Sequence, residues 1–271
     1  MAGVPLQGPR TLGPPAPLPA RRVVTLAPSL TELVVALGKG ETLVGVSRFD
    51  ELAAVKDVPR VGGFVDPNVE AVMVLHADLV LVQPSPGNQR PVEKLAELGT
   101  PVLLLPLRTT WDVLVAFRAV GRALGAPERG EALAQTLERA RARVRSAAKA
   151  LPHPRVLFVY GFSPLVVAGP GSFADELLMD AGGVNVVAAS LTPYPVYSLE
   201  SAVAAKPDVV VDGSNVSGGQ ERLRELPGLK AARWERLPSQ ALMHPGPSLA
   251  DGLAELFRLL HPTLRPAPPG E

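Results

Sequence analysis

The sequence predicts an α/β protein of two similar lobes with parallel sheets, on the strength of three observations. The first is a repeat. Asn68 to Val82, Asn-Val-Glu-Ala-Val-Met-Val-Leu-His-Ala-Asp-Leu-Val-Leu-Val, returns without gaps as Ser198 to Asp212, Ser-Leu-Glu-Ser-Ala-Val-Ala-Ala-Lys-Pro-Asp-Val-Val-Val-Asp. Each copy reads as a capped helix, a turn and a strand. Asn68 and Ser198 are good N-caps, Glu70 and Glu200 stand in the first turn where the helix dipole favours an acid, and the apolar run after Asp78 or Asp208 suits a strand buried on both faces. The second is the alternation of short apolar runs with helical stretches, which implies parallel pairing through crossovers. The third is length: 271 residues are ample for two cores.

Composition narrows the function classes. With 27 basic against 26 acidic residues, no global field argues for nucleic acid or an anionic membrane, and the few aromatics are not interleaved with basic residues as a single-strand binder requires. The chain has no cysteine, which excludes thiolate metal sites, disulfides and a cysteine nucleophile. Six prolines and three glycines in the first twenty residues, with no acid among them, predict a disordered tether over 1–21. That segment lacks the apolar core of a secretory signal, and no later stretch reaches the ~20 apolar residues of a membrane span. An exported protein whose signal is absent from this chain reads the same way.

Taken in order, the N-terminal lobe covers 22–127. Val23 to Leu26 reads as a buried strand, Ala27-Pro28-Ser29 turns it into a helix that stops at Gly38, and Leu43 to Ser47 is the next strand. Arg48 to Gly63 has weak periodicity and reads as a surface loop with a short helix. The first repeat follows, then a loop at Gln83 to Gly87, a helix from Gln89 to Leu98, a strand from Pro101 to Leu105 and a helix from Thr110 to Leu124. Residues 128–151 differ: Leu133, Leu137, Ala140, Val144, Ala147 and Leu151 form a narrow apolar stripe on one long helix, which reads as a rod lying across both lobes. The C-terminal lobe, 152–262, holds strands at Arg155 to Tyr160 and Leu165 to Ala168, a helix from Phe173 to Ala181, the second repeat, a strand at Trp234 to Leu237 and a last helix from Leu249 to Leu260. A tail occupies 263–271.

The motifs of nucleotide chemistry are missing. Gly169-Pro-Gly171-Ser172 precedes a helix but lacks the third glycine of a dinucleotide fingerprint, there is no Walker lysine, and Gly161-Phe-Ser163-Pro-Leu165 fails as a nucleophile elbow. His76, His153, His244 and His261 are isolated in sequence, so no metal site is expected; only His244, in a loop at the mouth of the second lobe, has a plausible ligand role. Phe49, Phe64, Tyr194 and Tyr197 all fall in loops, and Phe64 and Tyr194 each lie just before a copy of the repeat. They line a partly apolar ligand cleft between the lobes, or they cap the lobe cores.

Several of these segments in combination resemble a known family. Arg22-Val-Val-Thr-Leu-Ala-Pro-Ser29 with Thr31-Glu32, Leu43-Val-Gly-Val-Ser47, Pro59-Arg-Val-Gly-Gly63, Asp66-Pro-Asn-Val-Glu70, Ala77-Asp78-Leu-Val-Leu81 and Pro245-Gly-Pro247 are similar to the substrate-binding proteins of ABC importers for cobalamin and ferric siderophores, over about Arg22 to Pro262. The resemblance implies two Rossmann-like lobes joined by a single long backbone helix, a ligand held between them, no catalysis and no resident cofactor. It also implies an extracytoplasmic monomer that partners an ABC permease and its ATPase and carries a small-molecule metal chelate.

Within that resemblance, Glu70 and Glu200 match the acids that dock onto permease arginines. Phe49, Phe64 and Tyr194 match aromatic ligand contacts, and Tyr197, His244 and Arg48 complete the candidate ligand set. Relatives often carry an Asp-Tyr-Pro-like segment where this chain has Arg48-Phe-Asp-Glu-Leu52. Haem-binding relatives use a tyrosine near the Phe64 position, which a phenylalanine cannot replace as an iron ligand. Catecholate siderophores call for several arginines, and only Arg48 and Arg90 are candidates. A corrinoid is the expected ligand, ahead of a ferric chelate. The alternative from another class is a cytoplasmic doubly wound enzyme acting on a nucleotide or sugar, which needs the phosphate loops that are missing.

Overall fold

The computed structural model describes residues 8–187, 189–190, 192–214 and 219–262; the expected tail at 263–271 and the first seven residues of the expected tether lie outside them. The chain divides into two compact units, Met1–Leu107 with Trp111–Thr136, and Arg108–Thr110 with Leu137–Glu271.

The first unit follows the order β1 (Arg10–Leu12), β2 (Val23–Thr25), α1 (Pro28–Ala36), β3 (Leu43–Gly45), α2 (Val69–Val74), β4 (Leu79–Val82), α3 (Gln89–Glu97), β5 (Val102–Leu104), α4 (Thr110–Ala123) and the start of α5 (Pro127–Ala148). Its sheet runs β1-β5-β4-β2-β3, parallel except at β1. Val24, Val80, Leu81 and Val82 are fully buried. Strands covered on both faces need such unbroken apolar runs, and each side chain of this size taken from water contributes roughly 1.5–3 kcal/mol. Pro28 opens α1, where a missing N–H costs nothing.

The expected tether is corrected over its described part. Arg10, Thr11 and Leu12 pair antiparallel with Leu104, Leu103 and Val102, Leu12 packs on the core, and buried Ala20 donates its amide to the Ala123 carbonyl at 3.0 Å. Prolines and glycines do keep this segment extended, but an extended segment is also what an open sheet edge accepts as a partner.

Helix α5 spans the boundary between the units at Thr136–Leu137. Its buried positions are Gly130, Ala134, Leu137 and Ala148, with Leu133, Ala140 and Val144 half-buried, while Ala147 is exposed and Leu151 lies past the helix end. The expected four-three spacing is a 3.5-residue period, and a straight helix drifts off it. In the first unit α4 and α5 cross closely: a Cβ on Gly130 would lie 2.5 Å from the Phe117 carbonyl oxygen. Arg118 Nε donates to Glu131 at 2.7 Å beside that crossing.

The second unit continues through β6 (Arg155–Phe162), β7 (Leu165–Val167), α6 (Phe173–Asp180), β8 (Val184–Asn185), α7 (Leu199–Ala205), β9 (Val209–Asp212), α8 (Gln220–Arg224), β10 (Arg233–Arg236) and α9 (Leu249–Leu260). Its sheet runs β10-β9-β6-β7, with β8 also on β6. Pairing is parallel except for the β6–β7 hairpin, so both sheets are mixed where parallel sheets were expected. Each antiparallel strand lies at an edge: β7 joins β6 through a short hairpin that needs no crossover helix, whereas β1 pairs with the sequence-distant β5. On α5, Arg141 and Arg145 both pair with the buried Asp180 of α6, and Glu176 accepts from the Thr110 amide and hydroxyl.

The repeat is reproduced in three dimensions. Asn68 Oδ1 accepts the Ala71 amide and Ser198 Oγ accepts the Ser201 amide, both at 3.0 Å. Both helices end on a residue in the left-handed region, His76 at φ 45° and Lys206 at φ 46°. The strands that follow pair in parallel with β2 and β6 respectively.

Candidate functional site

Ligands of open α/β sheets bind beyond the carboxyl ends of the strands. In the first unit, Arg48 and Phe49 follow the end of β3 in a segment held by backbone bonds from the Val46 amide to the Pro59 carbonyl at 2.9 Å, the Val61 amide to the Val46 carbonyl at 3.0 Å and the Arg48 amide to the Gly62 carbonyl at 2.7 Å. Phe49 is 54% exposed, a large fraction for a phenylalanine, and its amide donates to Oγ of the buried Ser47 at 3.0 Å. The Arg48 guanidinium carbon lies 5.1 Å from the centre of the Phe49 ring. Its Nη2 donates to both carboxylate oxygens of Asp66, at 2.9 and 2.8 Å.

Phe64 is half-buried, and its carbonyl accepts from Nδ2 of Asn88, which sits beyond the end of β4 and is 1% exposed. The same Nδ2 donates to the Gln83 carbonyl, so one buried amide ties two loops together. Glu70 is exposed in the first turn of α2. A short turn makes α2 run back against β4, which puts the helix start on the same side of the sheet as Arg48 and Phe49.

The Asp50 carboxylate on this side has no hydrogen-bond partner among the described residues. Asp50 is 4% exposed, and the neighbouring Thr31 hydroxyl is engaged with Thr25 Oγ1 at 2.6 Å. Burial pushes the Asp50 carboxyl above its ordinary value, against weaker pulls from Thr31, the Arg60 guanidinium and the Ser47 backbone.

In the second unit the Thr192 to Tyr197 stretch, read as a loop, runs along β7. The Val167 and Gly169 amides donate to the Pro195 and Pro193 carbonyls, and the Tyr197 amide donates to the Leu165 carbonyl. Gly169 is required there, since a Cβ would lie 2.9 Å from both the Pro195 ring and the Thr192 carbonyl oxygen. Tyr194 packs edge-on against Tyr160, with ring centres 4.9 Å apart, and 6.2 Å from Phe173. The Tyr194 hydroxyl is buried with no partner among the described residues, while Tyr160 donates to the Leu242 carbonyl at 3.3 Å. Burial raises the pKa of both phenols, which keeps them neutral hydrogen-bond donors.

Tyr197 packs partly against the core of the second unit, the core-capping role that its loop position left open. His244 is exposed in the loop after β10, and its carbonyl accepts the Gly246 amide at 2.9 Å. Glu200 is exposed in the first turn of α7, as Glu70 is in α2. The first unit thus brings Arg48 and Phe49 together, while in the second Tyr194 joins Tyr160 and Phe173 and Tyr197 packs on the core.

Sequence reasoning passed over Tyr160, Asp66 and Asn88. Tyr160 sat inside an apolar strand run, and only its polar tip at the carboxyl end marked it. Asp66 entered only as the first residue of the Asp66-Pro-Asn-Val-Glu70 segment, and Asn88 fell between the Gln83–Gly87 loop and the helix from Gln89. The Gly169–Ser172 turn is not a phosphate cradle: Ser172 caps α6, and the Asp175 carboxylate itself accepts the Gly171 amide at 3.1 Å. Among the described residues no group of three or more His, Asp or Glu side chains could hold a metal ion.

Comparison with known proteins bears on this arrangement. A family model described as periplasmic binding protein matches residues 23–236. The vitamin B12-binding protein of Vibrio cholerae serotype O1 is 25% identical over 249 residues, 90% of each chain. That of Salmonella typhi is 33% identical over 195 residues, 71% of this chain and 72% of the relative. Among solved structures, a periplasmic heme binding protein from Pseudomonas aeruginosa superposes with a TM-score of 0.78 at 30% identity, over 92% of this chain and 95% of that one.

Proposed function

The chain belongs to the periplasmic binding protein family, and from that premise we propose that it captures a metal-containing chelate, a corrinoid before a ferric chelate, and delivers it to an ABC permease driven by its ATPase. It acts as an exported monomer outside the cytoplasm and performs no catalysis. Relatives named for vitamin B12 and for heme support the ligand class.

The observation that carries the reading is the exposed Phe49 ring beneath the Arg48 guanidinium at the carboxyl end of the first sheet. An aromatic face left this open, at a place where open sheets take ligands, offers a broad flat ligand a stacking surface. Phe64 extends the apolar lining, and Tyr194 and His244 are the contacts proposed on the second unit, where Tyr197 packs on the core instead. Phe64 has no atom to coordinate iron, which favours a chelate whose metal is already satisfied by its own macrocycle. Glu70 and Glu200, exposed and equivalent in the two units, are the permease contacts.

Equilibrium titration of the purified chain with cyanocobalamin, haemin and a ferric tris-catecholate tests the reading. Cyanocobalamin is expected to bind most tightly. Preference for the ferric tris-catecholate moves the assignment within the family, and no binding of any of the three at micromolar concentration removes it.

A further inference from the structure

Asp66 has so far figured only as the partner of Arg48. Its side chain is 55% exposed and that of Arg48 is 49% exposed, so the pair meets solvent, and an exposed ion pair of this kind adds little to stability. Its position is the informative part. Arg48 lies over the Phe49 ring, and Asp66 is one hydrogen bond further on. The cluster has no slack: a Cβ on Gly63 would intrude on Asp66 Oδ1 and lie 2.9 Å from Arg48 Nη2 and 3.0 Å from the edge of the Phe49 ring. Gly63 thus lets Arg48, Asp66 and the Phe49 ring lie close together, with the Arg48 guanidinium held beside its counter-charge.

We infer that Asp66 is a specificity-determining residue: its carboxylate offsets the Arg48 charge at the Phe49 face, so this face accepts a chelate of low net charge and discriminates against one bearing several carboxylates or phenolates. A ligand stacked on Phe49 lies within the ~8 Å screening length of both charges at physiological salt, and their effects on an anionic periphery are opposite in sign and similar in size. A lone arginine at the same place would attract such a periphery. The paired one is nearly neutral towards it and still presents an apolar ring and stacking guanidinium. This inference rests on Phe49 being a ligand surface, as proposed above.

The test uses the full chain and three probes: cyanocobalamin without net charge, haemin with two carboxylates, and a ferric tris-catecholate of net charge −3. Asp66→Asn keeps an oxygen that can accept from Arg48 and removes only the charge. It is expected to tighten haemin and the tris-catecholate by about three-fold or more, with a larger gain at low salt, and to leave cyanocobalamin within about two-fold. Arg48→Gln, which leaves Asp66 unopposed, shifts the two anionic probes the other way. Circular dichroism melting confirms that both variants are folded. Equal shifts for all three probes, or anionic affinities unchanged in Asp66→Asn, overturn the inference while leaving the ligand class standing. Failure of the unsubstituted chain to bind any probe overturns the functional reading and this inference with it.

Discussion

Asp78 and Arg22 are joined reciprocally: the Asp78 carboxylate accepts the Arg22 amide at 3.0 Å, and the Asp78 amide donates to the Arg22 carbonyl at 2.8 Å. The Arg22 guanidinium reaches the carbonyls of Leu75 and His76 at the end of α2. Asp208 and Arg155 repeat the arrangement, amide to carboxylate and amide to carbonyl both at 2.8 Å, with Arg155 reaching the Ala205 carbonyl at the end of α7. One Asp and one Arg in each unit thus close the helix end and start the sheet together. Asp78 also accepts the Arg21 amide at 2.9 Å, whereas the residue before Arg155 is Pro154, which has no amide hydrogen to offer Asp208. Asp78→Ala is therefore expected to destabilise by roughly 1–3 kcal/mol, and Asp208→Ala by less, since hydrogen bonds to charged groups are the stronger ones. Urea unfolding of the two variants measures the difference, and equal losses would deny Asp78 its extra role.

The helix ends suggest a stabilising change. His76 and Lys206 hold left-handed backbone that a side chain resists. Replacing Lys206 with Gly is expected to raise stability by roughly 0.5–1 kcal/mol, since relief of strain outweighs the freedom gained by the unfolded chain. His76→Gly should behave alike. A lower melting temperature in both would show that the side chains contribute more than their backbone strain costs.

Asp50 gives stability a pH dependence. Its pKa in the folded chain is raised above the ordinary 3.8, so the folded state binds a proton more tightly than the unfolded one. Its contribution is fully present below pH 3.8 and is lost as pH rises through the folded value. Asp50→Asn removes the ionisation, so the variant should melt higher than the unsubstituted chain near neutral pH and converge with it as pH falls towards 3.8. Melting curves across that range decide it; a constant difference at every pH would mean that the effect is packing.

The docking role proposed for Glu70 and Glu200 separates binding from delivery. Replacing both with Ala is expected to leave chelate affinity unchanged and to weaken association with the permease in a pull-down or a vesicle uptake assay. The local cost to each helix is only ~0.3–1 kcal/mol. Loss of chelate affinity in the double variant would refute the docking role.

Much of the fold was legible because its elements are locally encoded. The caps at Asn68 and Ser198, the buried run Leu79–Val82 and the helix Leu249–Leu260 all depend on nearby residues, and all appear where patterning places them. What escaped depends on distant partners. Strand β1 exists because β5 leaves an edge open, and the course of 192–197 beside β7 depends on close approach to Gly169. The loop aromatics were legible as a set, but their fates were not. Phe49 stays open beneath Arg48, whereas Tyr194 is folded into a cluster with Tyr160, and neither outcome is written in the spacing of the residues. The Arg48–Asp66 pair spans eighteen residues of irregular chain, a separation over which no periodicity operates.

Strand β1 also bears on how the protein should be handled. A proline-rich leader invites trimming, and a shortened chain begun at Arg22 would look conservative by composition. It would strip the antiparallel cover from Val102–Leu104 and leave the backbone groups of an apolar strand facing solvent, the configuration that recruits other chains edge to edge. Such a truncation should aggregate on concentration, and a fusion partner that replaces residues 1–12 should do the same.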